Sequence, residues 1–264
     1  MNSSGNNIQS LILDMDGVLW RGNQQIGNLI EVFETISSLG LSFVFATNNS
    51  TLSVEQYVVK LEQFGVQINP EQVINSSLAT GYFLLSKYPG GGTVYCVGEE
   101  GLKRTLSDFG YDHSNYDPLA VVVGLDRNLT YQQLADATLH IRSGVSFIAT
   151  NPDNTLPTPR GMEPGAGSII AALVAATGIE PHIIGKPFLG LYELALERLP
   201  SFPENTLVIG DRLETDIVGA QRLGCRTGMV LSGVTNKIMA EKWLPPIDYI
   251  ADDLKSLLGQ LKSE

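Results

Sequence analysis

Short apolar runs alternate with stretches of helical period along almost the whole chain. Runs of strand type cover 11–13, 42–46, 93–97, 120–124, 146–149, 183–184, 206–209, 227–230 and 249–250. Between them, apolar positions spaced three and four apart predict helices over 26–39, 53–64, 131–142, 167–177, 189–199 and 216–223. Ser53-Val54-Glu55-Gln56 has the form of a capping box, and Gly65 follows as the stop of the same helix. Regular β–α alternation predicts an α/β protein: a mainly parallel sheet with helices on both faces.

The alternation is interrupted twice. Lys87-Tyr88-Pro89-Gly90-Gly91-Gly92 is rich in turn formers, and Thr177-Gly178-Ile179-Glu180-Pro181 is a second break. The segment between them has its own β-α-β-α-β-α series and is of domain size. The expectation is a core made of residues 1–80 and 181–264, with residues 81–180 inserted as a second α/β domain.

Composition narrows the function. The 264 residues are 43% hydrophobic, enough apolar material for one large core or two smaller ones. A net charge of -11 argues against nucleic acid and anionic membrane surfaces as partners. An anionic small molecule still fits, provided a metal or local cations reverse the field at its site. Cys96 and Cys225 lie far apart with no ligand spacing, so neither a disulfide framework nor a zinc site is expected, and a reducing cytoplasm suits them. The polar first ten residues do not read as a signal peptide, and no apolar run approaches the roughly 20 residues of a spanning helix. The expected location is cytoplasmic.

Candidate chemistry gathers where apolar runs end. Leu11-Ile12-Leu13 leads into Asp14-Met15-Asp16-Gly17, two carboxylates at a turn, although acids also cluster harmlessly in loops. Phe43-Val44-Phe45-Ala46 leads into Thr47-Asn48-Asn49-Ser50, which can donate hydrogen bonds to an anion or simply cap and turn. Lys186 follows Ile183-Ile184-Gly185 and precedes Pro187, a position with little packing rationale, although surface lysines are common. Leu207-Val208-Ile209-Gly210 leads into Asp211, with Asp216 five residues on, where it reads equally well as a helix cap. Carboxylates brought together at such an edge repel one another. A hard divalent cation removes that cost, and Mg2+ prefers oxygen ligands and works beside phosphate.

In this order the four segments resemble the haloacid dehalogenase superfamily of phosphohydrolases, and the resemblance spans essentially the whole chain. The forms Asp14-Met15-Asp16-Gly17-Val18-Leu19-Trp20, Thr47-Asn48-Asn49-Ser50 and Gly210-Asp211-Arg212-Leu213-Glu214-Thr215-Asp216-Ile217 look like its NagD-type, or 4-nitrophenylphosphatase, branch. The resemblance implies a Rossmann-like parallel-sheet core with a large α/β cap inserted between the second and third signatures. It implies Mg2+-dependent hydrolysis of small phosphomonoesters through an aspartyl-phosphate. Asp14 would be the nucleophile and Asp16 the acid and base. Mg2+ would sit on Asp14, the Asp16 backbone carbonyl and Asp211, with Asp216 ligating through water or orienting the others. Thr47, Asn48, the Asn49 backbone amide and Lys186 would bind the phosphoryl oxygens.

Substrate choice would rest with the cap. Asn151, Asp153 and Glu163, in a Pro-rich segment read as a loop, are candidate substrate contacts, as is Arg212 beside Asp211; turn formation and a structural ion pair are the plain alternatives. The partner implied is a small phosphorylated metabolite: a nucleotide, sugar, glycolate or pyridoxal phosphate. Capped relatives include monomers and cap-paired dimers, so a homodimer through the cap is compatible with the resemblance. Val97-Gly98-Glu99-Glu100-Gly101-Leu102 lacks the complete glycine fingerprint of a dinucleotide site and predicts a strand–turn–helix connection. Two other functions remain open. A phosphotransferase, such as a sugar phosphate mutase, would use the same core but usually carries a smaller helical cap. A non-catalytic binder of phosphorylated ligands would have no need of Asp14, Asp16, Lys186 and Asp211 together.

Overall fold

Two sheets built on parallel pairs organise the chain. The computed structural model describes residues 8–158 and 160–263, so the polar N-terminal tail lies outside the described residues as far as position 7. The first sheet has six strands in the order Tyr249–Ala251, Arg226–Val230, Thr206–Gly210, Ser10–Leu13, Ser42–Thr47, Val73–Asn75. Leu13 is in register with Ile209 on one side and Phe45 on the other, both pairings parallel. Every residue of Ser10–Leu13 and Thr206–Gly210 is buried, which is why these strands read as unbroken apolar runs rather than alternating ones. From Ser10–Leu13 the chain moves to Ser42–Thr47, and it later returns on the opposite side with Thr206–Gly210. Strand order therefore reverses between Ser10–Leu13 and Thr206–Gly210, where open α/β sheets leave a crevice at their carboxyl edge.

The second sheet is parallel throughout, in the order His182–Ile183, Ser146–Ala149, Ala120–Val123, Gly92–Val97, Tyr111–His113. Its core joins Val97, Val121, Val123 and Phe147 to Ile141 and Leu173 from the flanking helices. Two hairpins are also found among the described residues, Trp20–Arg21 with Gln24–Gln25 and Thr155–Thr158 with Gly161–Pro164. The second falls where the sequence reads as loop, because its strands are mostly exposed and lack an apolar face.

The chain packs into two units. One takes the residues up to Thr47, Val58–Ile74 and those from Tyr192 on; the other takes Asn48–Tyr57 and Asn75–Leu191. Residues 48–57, 75–80 and 181–191, which the expected division put with the core, are grouped with the second unit, and several of their local bonds run within it. Asn75 caps helix Ser76–Lys87 by accepting from the Leu78 N–H at 2.8 Å, and its amide donates to Leu52 O at 2.8 Å. The Ser76 and Ser77 hydroxyls donate to the carbonyls of Asn48 and Ser50. His182–Ile183 pairs with Ser146–Ala149. A two-residue apolar run locates a strand without saying which sheet receives it.

Five expected helices appear within three residues of their predicted ends: Leu29–Ser38, Val54–Gln63, Tyr131–Arg142, Ala166–Thr177 and Leu189–Glu197. The Ser53 box closes in both directions: the Ser53 N–H donates to Gln56 Oε1 at 2.8 Å and the Gln56 N–H to Ser53 Oγ at 3.4 Å. The helix expected over 216–223 divides into one π turn, Leu213–Ile217, and a short α-helix, Val218–Leu223. Ser76–Lys87 was not among the expected helices because Ser76, Ser77, Thr80 and Gly81 are buried within it, which blurs the apolar period. Among the described residues no helix is long and apolar enough to cross a membrane.

Candidate active site

The crevice of the first sheet collects carboxylates. Asp14 leaves the end of Ser10–Leu13 with its N–H donating to Ile209 O at 2.9 Å, and Asp211 leaves the end of Thr206–Gly210. Asp216 comes from the π turn, a wide-turn geometry that recurs at functional sites. It does not cap the following helix. Its Oδ2 accepts the Arg212 N–H at 3.0 Å, folding the segment back on itself. Ligand oxygens of Asp14, Asp211 and Asp216 all lie within 4.8 Å of one another. The three residues are 8%, 2% and 1% exposed.

Backbone rather than side chains makes room for these acids. Gly17 has φ +85°, and a Cβ there would collide with the Asp211 carboxylate. A Cβ on Gly233 would do the same, while the neighbouring Val234 N–H donates to Asp211 Oδ2 at 2.8 Å. Gly210 likewise leaves space for the Asp216 side chain. The sequence reading passed over Gly233, although it follows the apolar run 227–230 just as Gly17 follows 11–13.

Burying three carboxylates this close together is costly unless a cation shares them. Two oxygens bound to one Mg2+ or Ca2+ at about 2.0–2.6 Å lie no more than about 5 Å apart, so the spacing fits. The donors are all carboxylate oxygens, with no thiolate or imidazole among them. That set suits a hard divalent cation.

Asp16 is not one of the three residues of that cluster. Its Oδ1 accepts the Trp20 indole N–H at 2.8 Å. Trp20 is fully buried and packs against Phe64, and Lys60 Nζ sits 3.9 Å from its ring centroid. Burial pushes the Lys60 pKa down, with the Asp16 charge opposing that shift. Lys60 also donates to Gly22 O at 3.3 Å. Trp20 closes the first signature motif of the sequence. Its signal was available: an indole donor four residues from a carboxylate at a strand end.

The second unit brings Asn48, Asn151, Asp153 and Lys186 together. Lys186 is only 3% exposed. Its N–H donates to Asn48 Oδ1 at 2.7 Å, and the Asn48 amide donates back to Lys186 O at 3.0 Å. Asp153 accepts from the same amide at 3.3 and 3.4 Å, and the Asn151 amide donates to Asn48 O at 2.7 Å. The Asn48 side chain, expected to meet phosphate, is therefore engaged in clamping the Lys186 backbone. Asn49 accepts from the N–H and hydroxyl of Thr51 at 2.9 and 2.7 Å, a local turn that occupies its side-chain oxygen.

The remaining candidates are more dispersed. Thr47 is buried at the end of Ser42–Thr47. Glu163 lies on the exposed hairpin and accepts the Arg160 Nε–H at 2.8 Å, so it is paired locally. Arg212 is partly buried, and its N–H is held by Asp216.

Known proteins match this chain along nearly its whole length. A haloacid dehalogenase-like hydrolase profile covers residues 11–112, and a second, HAD-hydrolase-like, covers 183–257. An acid sugar phosphatase of Staphylococcus epidermidis is 34% identical over 256 residues, 96% of this chain and 98% of that one. The 4-nitrophenylphosphatase of Thermotoga maritima has a similar structure, with a TM-score of 0.90 and 32% identity over 96% of this chain and 97% of the other. A glycerol phosphate phosphatase of Mycobacterium tuberculosis, solved with magnesium, gives a TM-score of 0.86 and 35% identity over 97% of this chain and 78% of its own.

Proposed function

The chain belongs to the haloacid dehalogenase-like hydrolases, in their NagD-type or 4-nitrophenylphosphatase branch, and is a phosphoric monoester hydrolase; from that premise we propose that it is an Mg2+-dependent phosphatase working through Asp14. The observation that carries this reading is the buried cluster of Asp14, Asp211 and Asp216 at the point where strand order reverses. These three side chains, with the Asp16 carbonyl, would hold the cation. Bound there, Mg2+ supplies Lewis-acid charge that offsets the repulsion between a phosphate dianion and the Asp14 carboxylate.

Asp14 is the nucleophile: one carboxylate oxygen bonds to phosphorus as the ester P–O bond breaks. Aspartate suits the task, since its reference pKa of about 3.9 leaves it ionised near neutrality. Asp16 gives its proton to the departing ester oxygen. It then takes a proton from the water that cleaves the aspartyl-phosphate, releasing phosphate and restoring Asp14. Thr47 and Lys186 bind phosphoryl oxygens, and Asn48 contributes by holding the Lys186 backbone. Positioning and electrostatics carry most of the barrier reduction in this chemistry.

The substrate proposed is a small sugar or polyol phosphate, which the relatives named above support. Asn151 and Asp153 are the cap residues we assign to it. Glu163 is a weaker candidate because Arg160 already pairs with it.

The test is hydrolysis of 4-nitrophenyl phosphate with Mg2+, with chelator, and by Asp14→Asn, together with acid-quench trapping of a phosphoenzyme. Metal-dependent turnover with a trapped acyl phosphate, both lost in Asp14→Asn, is the expected result. Turnover that survives in Asp14→Asn would remove the nucleophile assignment.

A further inference from the structure

Asp16 must do two jobs with one proton, and a carboxyl free to rotate would present either oxygen to the ester. The structure fixes one of them. Trp20 Nε1 donates to Asp16 Oδ1 at 2.8 Å, across a turn closed by the Gly17 N–H to Trp20 O bond, also 2.8 Å. The indole itself cannot move aside. It is fully buried, with the Phe64 ring tilted against it at a centroid distance of 5.8 Å and the Lys60 ammonium 3.9 Å from its centroid. A cation over an indole face draws density from the ring and makes its N–H a stronger donor.

We propose that Trp20 is a positioning residue for the proposed phosphatase reaction: its indole N–H anchors Asp16 Oδ1 so that Oδ2 faces the leaving group. The inference rests on the reading of Asp16 as the acid and base given above. An oxygen that accepts from an N–H keeps its lone pair in that bond. The transferable proton is accordingly carried by Oδ2, which gives it to the ester oxygen and later receives one from the attacking water. Lys60 acts one step further out, through the indole.

The test separates proton donation from general damage by grading the leaving group. Mg2+-loaded enzyme is given 4-nitrophenyl, phenyl and 4-methoxyphenyl phosphates, which share one shape class. Phenol release is followed in a single turnover, so that only the first transfer is read. Asp16→Asn should slow the poorer leaving groups by about 10²–10⁴-fold, with much less effect on 4-nitrophenol. Trp20→Phe should show the same tilt at a smaller scale, on the order of tenfold for phenyl phosphate, with KM little altered. Replacing Trp20 by its benzothienyl analogue, with sulfur in place of N–H, keeps the bicyclic packing and should give the same tilt if Trp20→Phe folds poorly. An equal loss across all three esters, or no loss, in the benzothienyl protein would overturn the tether while leaving Asp16 in place. Absence of any tilt in Asp16→Asn would overturn the acid assignment and the tether with it.

Discussion

The two units end their parallel sheets in opposite chemistry. In the first, strand ends deliver Asp14 and Asp211, with Asp216 beside them, and the surroundings are backbone N–H groups and glycines that stand clear. In the second, Lys186 is gripped at its own N–H and carbonyl by one asparagine amide, which is itself bonded to Asp153. A cluster of like charges is held in place by clearance and needs an external cation. The Lys186 backbone is held instead by hydrogen bonds from within the chain. The first should therefore respond to metal and charge, and the second to the loss of a single hydrogen-bonding group.

The sharpest test of that contrast is Asp14→Asn. Turnover should fall by about 10³-fold or more. In chelator the same variant should unfold at a higher temperature than wild type, because one of three repelling charges is gone. A lower unfolding temperature under those conditions would mean that the cluster is not strained without metal.

Asn48→Ala probes the other side. It leaves the Lys186 N–H and carbonyl without their partner, a loss of about 1–3 kcal/mol for a buried group, visible in chemical denaturation. Turnover should drop by about 10–100-fold with Mg2+ affinity unchanged; a parallel drop in metal affinity would show that the two clusters do not act separately.

Gly233→Ala should do the reverse, because the added methyl meets the Asp211 carboxylate. Metal affinity measured by calorimetry should weaken by about tenfold or more, with about 1–3 kcal/mol lost in stability. Unchanged affinity would show that the loop yields without cost.

The smallest effect concerns pH. Burial holds the His113 pKa below its ordinary 6.5, with Lys103 adding to the shift, and Nδ1 accepts the Cys96 N–H at 3.0 Å. Since the unfolded chain takes up the proton first, stability is full above about pH 6.5 and declines as pH falls toward the lowered folded value. The decline should be slight, because His113 is only partly shielded from solvent, and it should flatten in His113→Gln. A His113→Gln profile identical to wild type would assign the decline to other groups.

What the sequence made legible follows from burial. Central strands such as Ser10–Leu13 and Thr206–Gly210 are buried throughout, so their apolar runs announced both the strands and the acids at their ends. The capping box at Ser53 was equally plain, because its partners are three residues apart. Long-range choices were not legible. Nothing local in His182–Ile183 says that it pairs with Ser146–Ala149, and nothing local in Asn48 says that its amide reaches a backbone 138 residues away. The hairpin Thr155–Thr158 with Gly161–Pro164 was missed for the opposite reason: mostly exposed strands carry no apolar signature.

The hydrogen bond between Trp20 and Asp16 has an optical consequence. The chain has two tryptophans, and Trp20 is the one bonded to Asp16 beneath a lysine ammonium. Indole emission responds to the charge held along its long axis and to its hydrogen-bonded partner. In a Trp243→Phe background the protein would thus carry a single tryptophan, hydrogen-bonded to the residue proposed as the acid and base, and a change in the state of Asp16 would be read as a shift in its emission without any label.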